Sequence, residues 1–270
     1  MTKINTSISP YYDDYNEDKN FYRILFKPGV AVQGRELTQM QTILQQQVQR
    51  FGKHVFKEGA MVLPGLIKYN LKHAWFRILK TDVAPSVDET TLDTQINSLW
   101  MQKTVECSET SVHGKVNNYI IEDGDYVRLF IQYESANTKV TNTDPLGSVH
   151  NFRADEHVTP SGTTMVVSVE SSGTGSSASI DRGVYFIRGF FVLVEKQTII
   201  IDPDTTKPSA KVGLSVLEDV VTSETDTSLN DLAQGSPNYA APGADRYYIE
   251  LKLETRDVDA SPDNSFVELL

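Results

Sequence analysis

Between Gly34 and about Val55 the apolar residues Leu37, Met40, Leu44, Val48, Phe51 and Val55 recur at steps of three, four, four, three and four, which places them on one face of a helix. A helix from Gly34 to Gly52 would be ~28 Å long at 1.5 Å per residue. Glu36 suits its start, where a carboxylate opposes the positive end of the macrodipole, and Gly52 or Gly59 offers a stop. Elsewhere the pattern is that of strands. Residues 60–63, 66–70 and 74–79 are short apolar or alternating runs separated by Pro64-Gly65 and Lys72-His73. Near the other end Tyr247, Ile249, Leu251 and Leu253 alternate with Tyr248, Glu250, Lys252 and Glu254, the mark of a half-buried strand.

Residues 1–33 have turn formers and no helical period, so they read as an extended arm, with a short strand at 21–26 ended by Pro28-Gly29. Tyr119 to Tyr133 holds two strands about Asp123-Gly124-Asp125, a hairpin signal. A short helix is expected around Ile96, Leu99 and Trp100, a long loop over 138–164, a strand over 165–169 and a flexible connector in the Ser and Gly run 171–179. Strands return at 185–187, 190–195, 198–201 and 212–217, and the polar stretch 222–243 reads as an extended excursion. The pattern therefore predicts a mainly β (α+β) protein without internal repeats. Its parts are an extended N-terminal arm (1–33), one long amphipathic helix (34–56), a β-rich platform (57–80 plus 183–270) and a smaller inserted β-rich lobe (81–182).

Composition narrows the function classes. The 270 residues are 39% apolar, enough for a core, and the net charge of −11 argues against a nucleic-acid surface, which needs clustered Lys and Arg. No run of 18 apolar residues exists, so no membrane insertion is expected. Met1-Thr2-Lys3-Ile4-Asn5 lacks the apolar stretch of a secretion signal, so the chain is expected to be made and held in a cytoplasm until assembly. A single cysteine, Cys107, excludes an intrachain disulfide and a multi-thiolate zinc site, and is expected as a small buried residue.

No constellation of catalytic residues emerges. His54, His73, His113, His150 and His157 lack paired ligand spacing, and Gly213-Leu214-Ser215-Val216-Leu217 lacks the last glycine of a nucleophile elbow. Ser172-Gly173-Thr174-Gly175-Ser176 lacks the Lys that follows a phosphate loop. The pairs Asp123/Asp125 and Asp202/Asp204, and the cluster Asp257/Asp259/Asp263, are read as turn formers before acid pairs or a calcium loop. The expectation is a protein with no catalytic residue, no metal ligand and no cofactor.

Two stretches read as interfaces. Gln39, Gln41, Gln45, Gln46, Gln47 and Gln49 flank the apolar stripe of the helix with few charges among them, although a solvated helix usually carries Glu-Lys pairs. Leu37, Leu44 and Phe51 repeat at seven residues, which suits a short seam between copies, the other reading being that the stripe covers the protein's own sheet. The arm gathers Tyr11, Tyr12, Tyr15, Phe21 and Tyr22 among Asp13, Asp14, Glu17 and Asp18. It is either a peptide docked on a neighbour or a terminus folded onto its own domain.

The segments YYDDYNEDKNFYRILFKPG (11–29), GRELTQMQTILQ (34–45), FGKHVFKEGAMVLPG (51–65), RGFFV (188–192) and APGADR (241–246) resemble a family of tailed-bacteriophage virion proteins, a domain of unknown function in baseplate or tail-fibre proteins. The resemblance touches both ends of the chain and not residues 81–180. It implies a non-enzymatic structural role in the tail of a phage, contractile-tailed by preference, with other baseplate or tail-fibre proteins as partners. It also implies relatives that continue beyond the equivalent of Ser265-Phe266-Val267-Glu268. Together with the seam it predicts a homo-oligomer, a trimer, located in the virion. The rival class is a glycan-binding or glycan-degrading tail protein using exposed aromatics and Asp123 or Asp202.

Overall fold

The computed structural model describes residues 4–84, 88–110, 112–134, 151–261 and 263–269. Strand makes up 39% of the described residues and helix 18%, so the protein is β-rich, as its patterns predict. In chain order the first half forms α1 (Gly34–Val55), β1 (Ala60–Leu63), β2 (Ile67–Leu79), α2 (Lys80–Val83), α3 (Glu89–Leu99), β3 (Thr104–Cys107), β4 (His113–Ile121) and β5 (Tyr126–Tyr133). There follow β6 (His157–Pro160), β7 (Val167–Ser168), β8 (Ser171–Ile180), β9 (Gly183–Ile187), β10 (Phe190–Val194), β11 (Gln197–Asp202), β12 (Lys211–Val221), β13 (Arg246–Arg256) and β14 (Phe266–Glu268).

The chain divides into two compact units. Unit 1 holds Met1–Leu66, Ile180–Gln197 and Lys211–Leu270, and unit 2 holds Ile67–Ser179 and Thr198–Ala210. This cut differs from the platform and lobe drawn from the pattern of strand signals. The runs 66–70 and 74–79, expected as two platform strands, fall, from Ile67 on, in one strand, β2, of unit 2, in which 74–79 pair antiparallel with β5 from Ala74 opposite Ile131 to Leu79 opposite Tyr126. Residues 198–210 also belong to unit 2.

Unit 2 is built on an eight-stranded sheet in the order β11-β8-β2-β5-β4-β3-β6-β7. Alternation along β2 sends Ala74, Phe76 and Ile78 to one face, where they meet Leu92 and Ile96 of α3 and Trp100, directly after it, in a buried cluster. Phe76 packs edge-on against Phe152 at 5.2 Å between ring centres, and Phe152 N–H donates to the Tyr133 hydroxyl at 2.8 Å. Burial pushes the Tyr133 hydroxyl up to about 12. The opposite face carries Trp75 and Arg128, the guanidinium lying 4.3 Å from the indole centre. Arg128 is buried, so its charge is met by Glu122 at 2.6 Å and Asp204 at 2.7 Å.

One expectation fails here for a clear reason. Residues 171–179, read as a flexible connector, lie in β8, an interior strand between β11 and β2. A Cβ on Gly173 would sit 2.5 Å from the Trp75 ring and one on Gly175 2.6 Å from the Pro203 carbonyl oxygen. Ser176 and Ser177 are buried, and Ser176 Oγ donates to the Asp202 carbonyl at 3.2 Å. The side chains are small because the neighbours come close.

Unit 1 contains two three-stranded sheets, β1-β9-β10 and β13-β12-β14. β12 and β13 pair over their whole lengths, burying Val212, Leu214, Val216, Leu251 and Leu253. β9 and β10 are joined by Arg188-Gly189, whose φ values of 53° and 88° are both positive, as a two-residue turn matching strand twist requires. The run Phe21–Phe26, expected as a short strand, is irregular, and Phe21, Tyr22, Leu25 and Phe26 are exposed. The excursion 222–243 is a string of turns closed by Asp231 and Ala241, whose backbones bond at 2.9 Å. Of the loop expected over 138–164, residues 138–150, with His150, lie outside the described residues, and 157–160 form β6.

Candidate functional site

The helix α1 starts where Gln33 N–H donates to Glu36 Oε2 at 2.9 Å, a reciprocal cap that satisfies a backbone donor left over by the first turn. It stops after Val55, where Phe56 N–H bonds back to the Gly52 carbonyl at 2.7 Å. Between those ends the face turned to the protein is not the apolar one. Ile43, 4% exposed, and Gly52 are its buried residues. Gly52 lies against the buried Phe186 of β9 so closely that a Cβ there would fall 2.3 Å from the ring. Gln45 Nε2 donates to the Gly189 carbonyl at 2.9 Å, and the Gln49 side chain lies over Gly189. The helix thus grips the β9–β10 turn with glutamines.

Leu37, Met40, Leu44, Val48, Phe51 and Val55, by contrast, are 39% to 67% exposed. The reading in which this stripe covers the protein's own sheet is therefore corrected. The contact with the β9–β10 hairpin is made instead by Gln45 and Gln49 at Gly189 and by Gly52 at the Phe186 ring. The glutamine flank is corrected in the same way, since Gln39, Gln45 and Gln49 have partners within the chain. What stands outward is a row of six apolar side chains interspersed with Gln41 and Gln47, with no charged residue in the row. Phe191 is also exposed, and its ring packs edge-on against Phe56, directly after the helix, at 5.8 Å.

The arm folds back on unit 1, and its acids hold it there. Asp13, 2% exposed, accepts from the Thr42 hydroxyl, Asp14 accepts from Gln39 Nε2 at 3.1 Å and faces Arg35 at 3.7 Å, and Glu17 pairs with Arg50. Tyr11 donates to Asp245 at 2.7 Å, and that bond to a carboxylate, with burial, raises its pKa. Tyr15 is half-buried. Tyr12, Phe21 and Tyr22 point away, each more than half exposed. Sequence reasoning singled out the aromatics and missed the acids as anchors. Their signal was present in the spacing of Asp13, Asp14 and Glu17, which meets Thr42, Arg35 and Arg50 on the helix side opposite the stripe.

Behind this surface a buried ion pair fixes the turn. Arg188, 7% exposed, pairs with Glu218 of β12, donates to the Asn264 carbonyl at 2.7 Å, and its backbone N–H donates to Glu58 Oε1 at 2.5 Å. Burial and the neighbouring Glu218 raise the Tyr247 pKa. Arg188 therefore ties the segment after α1, β12 and the turn before β14 to the hairpin that α1 grips.

The candidate chemical groups are engaged in local structure. Asp202 accepts from the backbone N–H groups of Asp204 at 2.8 Å and Thr205 at 3.1 Å, which makes it a turn former. Asp123 and Asp125 are exposed in the β4–β5 turn. Asp263 accepts from the Ser265 hydroxyl and from its backbone N–H at 2.9 Å, and these bonds with Arg256 hold its carboxyl at about 2. Among the described residues no three His, Cys, Asp or Glu stand where they could hold a metal, and no helix is long and apolar enough to cross a membrane. Cys107 is buried, which pushes its thiol up and away from a nucleophilic thiolate. Glu109 is held at about 2, chiefly by the His157 backbone N–H at 3.0 Å, and its other oxygen meets His157 Nδ1 at 2.8 Å, a tie between the ends of β3 and β6.

The outward face of α1, the arm that backs it and the turn it grips form the most distinctive surface of the molecule. Residues 9–67 and 135–267, more than half of the chain, match the model of a family described as a domain of unknown function, DUF4815. This chain belongs to the DUF4815 family. The DUF4815 match takes in the arm from residue 9, all of α1 and β1, and everything from β6 to β13. It leaves 68–134 uncovered, where nearly all of β2 and the whole of α2, α3 and β3 to β5 lie. No curated protein and no solved structure matches the chain.

Proposed function

We propose that this DUF4815 protein is a structural component of a bacteriophage virion, acting at the baseplate or at the attachment of a tail fibre through protein–protein interfaces and without a catalytic step of its own. The observation that carries this reading is the outward apolar stripe of α1. Contiguous exposed apolar surface of several hundred Å2 is uncommon on a protein that works alone and marks a surface that another molecule covers. The exposed aromatics of the arm, Tyr12, Phe21 and Tyr22, add to it. The resemblance of 11–29, 34–45 and 51–65 to tail proteins supplies the virion setting. The engagement of Asp202 and Asp204 in turn and ion-pair contacts favours assembly over glycan chemistry.

Immunogold labelling of purified virions with an antibody to this chain tests the reading. Gold at the tail tip or fibre base is the expected result, and virions free of label would contradict it.

A further inference from the structure

We infer that the outward face of α1 is covered by the same face of further copies of this chain. The inference rests on the assembly reading and names its first partner. Three observations carry it. The roll of α1 is fixed from within, because Gln45, Gln49 and Gly52 lie on the β9–β10 hairpin while Arg35, Gln39, Thr42 and Arg50 lie on the arm. The helix cannot turn its stripe inward without breaking both sets, so the stripe stays presented.

The second observation is charge. The chain carries a net charge of −11, so two copies repel wherever acidic surfaces meet. The row from Leu37 to Val55 has no charged member, and the cations Arg35 and Arg50 are turned to the back of the helix and paired with Asp14 and Glu17. In a symmetric contact the same patch lies on both copies, and a patch without charge brings no acidic side chain of one copy against an acidic side chain of the other.

The third is area. Six side chains about half exposed leave roughly 600 Å2 of apolar surface per copy, against about 800 Å2 per partner in a standard interface, and the exposed Phe191, packed on Phe56 at the end of α1, extends the patch. A row of Leu37, Leu44 and Phe51 at heptad spacing, widened by Met40, Val48 and Val55, is the geometry that packs helix against helix.

Light scattering on the purified full chain, before and after Leu44→Asp, tests the inference. A wild-type mass at a whole multiple of 30.2 kDa, three being the number expected from the sequence, together with a monomer for Leu44→Asp whose circular dichroism and melting point are unchanged, supports it. Association that survives 1 M salt supports it further, because an apolar seam is not screened. A 30.2 kDa wild type at high concentration, an oligomer that Leu44→Asp and Phe51→Asp leave intact, or one that salt dissolves overturns it. Tail labelling of virions alongside a monomeric wild type would leave the assembly reading standing and remove only this partner.

Discussion

The helices α3 and α1 use the same periodicity in opposite ways. In unit 2, α3 turns Leu92 and Ile96, and the Trp100 that follows it, onto the sheet, all three fully buried, and caps itself with Asp88 accepting from Thr91 N–H at 3.1 Å. In unit 1, α1 turns Gln45, Gln49 and Gly52 inward and six apolar residues outward. The rest of the two units follows suit. Among the described residues, the large apolar side chains exposed in unit 2 are Tyr69, Leu71, Tyr126 and Val166, whereas in unit 1 such residues run from Ile8 through Leu66 and recur at Phe191, Leu193, Leu217 and Leu232. Among the described residues, unit 2 thus keeps most of its apolar surface for its own core, and unit 1 keeps much of it for display. The DUF4815 match covers nearly all of the displaying unit and passes over residues 68–134 of the other.

The contrast is broken or sharpened first by paired core and surface substitutions. Phe76→Ala in unit 2 should cost about 3–5 kcal/mol, since a fully buried ring leaves a cavity. Phe51→Ala on α1, measured by urea unfolding at dilution, should cost no more than about 0.5 kcal/mol. Equal costs would mean that the α1 stripe is buried like the core of unit 2. Next comes Gly52→Ala. Helix propensity favours alanine by about 0.5–1 kcal/mol. The new Cβ would however fall 2.3 Å from the buried Phe186 ring, and overpacking costs about 1–3 kcal/mol, so the variant should melt lower. A higher melting point would show that α1 does not press on the hairpin.

The smallest expected effect is on pH dependence. Glu109, at the β3–β6 tie of unit 2, has its carboxyl lowered from 4.5 to about 2. The unfolded chain then takes up this proton before the folded one, so the stabilisation is complete above the ordinary value and is lost as pH falls through about 2. Asp263 in unit 1 behaves likewise, lowered from 3.8 to about 2. Glu109→Gln should make the acid limb of the melting-point profile shallower over that window while Asp263→Asn leaves the unit 2 limb alone. Identical profiles for wild type and Glu109→Gln would contradict the tie.

The sequence made the β-rich class readable, because alternation in 247–254 and the Asp-Gly turn at 123–125 report on one strand and one hairpin without help from the rest of the fold. It did not make β8 readable. A strand of Ser and Gly crowded by Trp75 and Pro203 has the composition of a linker, and only the neighbours reveal why its residues are small. The candidate site was half readable for a related reason. The spacing from Leu37 to Val55 marks one side of α1, and periodicity carries no information on whether that side faces in or out. The direction is set by Asp13, Asp14 and Glu17 from the arm and by the Arg188-Gly189 turn, contacts separated in sequence by 29 residues in one case and 144 in another.

The central claim, that the α1 stripe faces out and meets its own copy, is tested most directly by oxidative cross-linking of Leu44→Cys in a Cys107→Ser background. Position 44 lies near the middle of Gly34–Val55, so parallel and antiparallel pairs both bring it close to its counterpart. A control, Gln39→Cys, places the thiol under the arm on the opposite side. Rapid formation of a covalent pair through residue 44, with little or none through residue 39, is the predicted result. No pair through 44, or pairs formed equally through both, would contradict it.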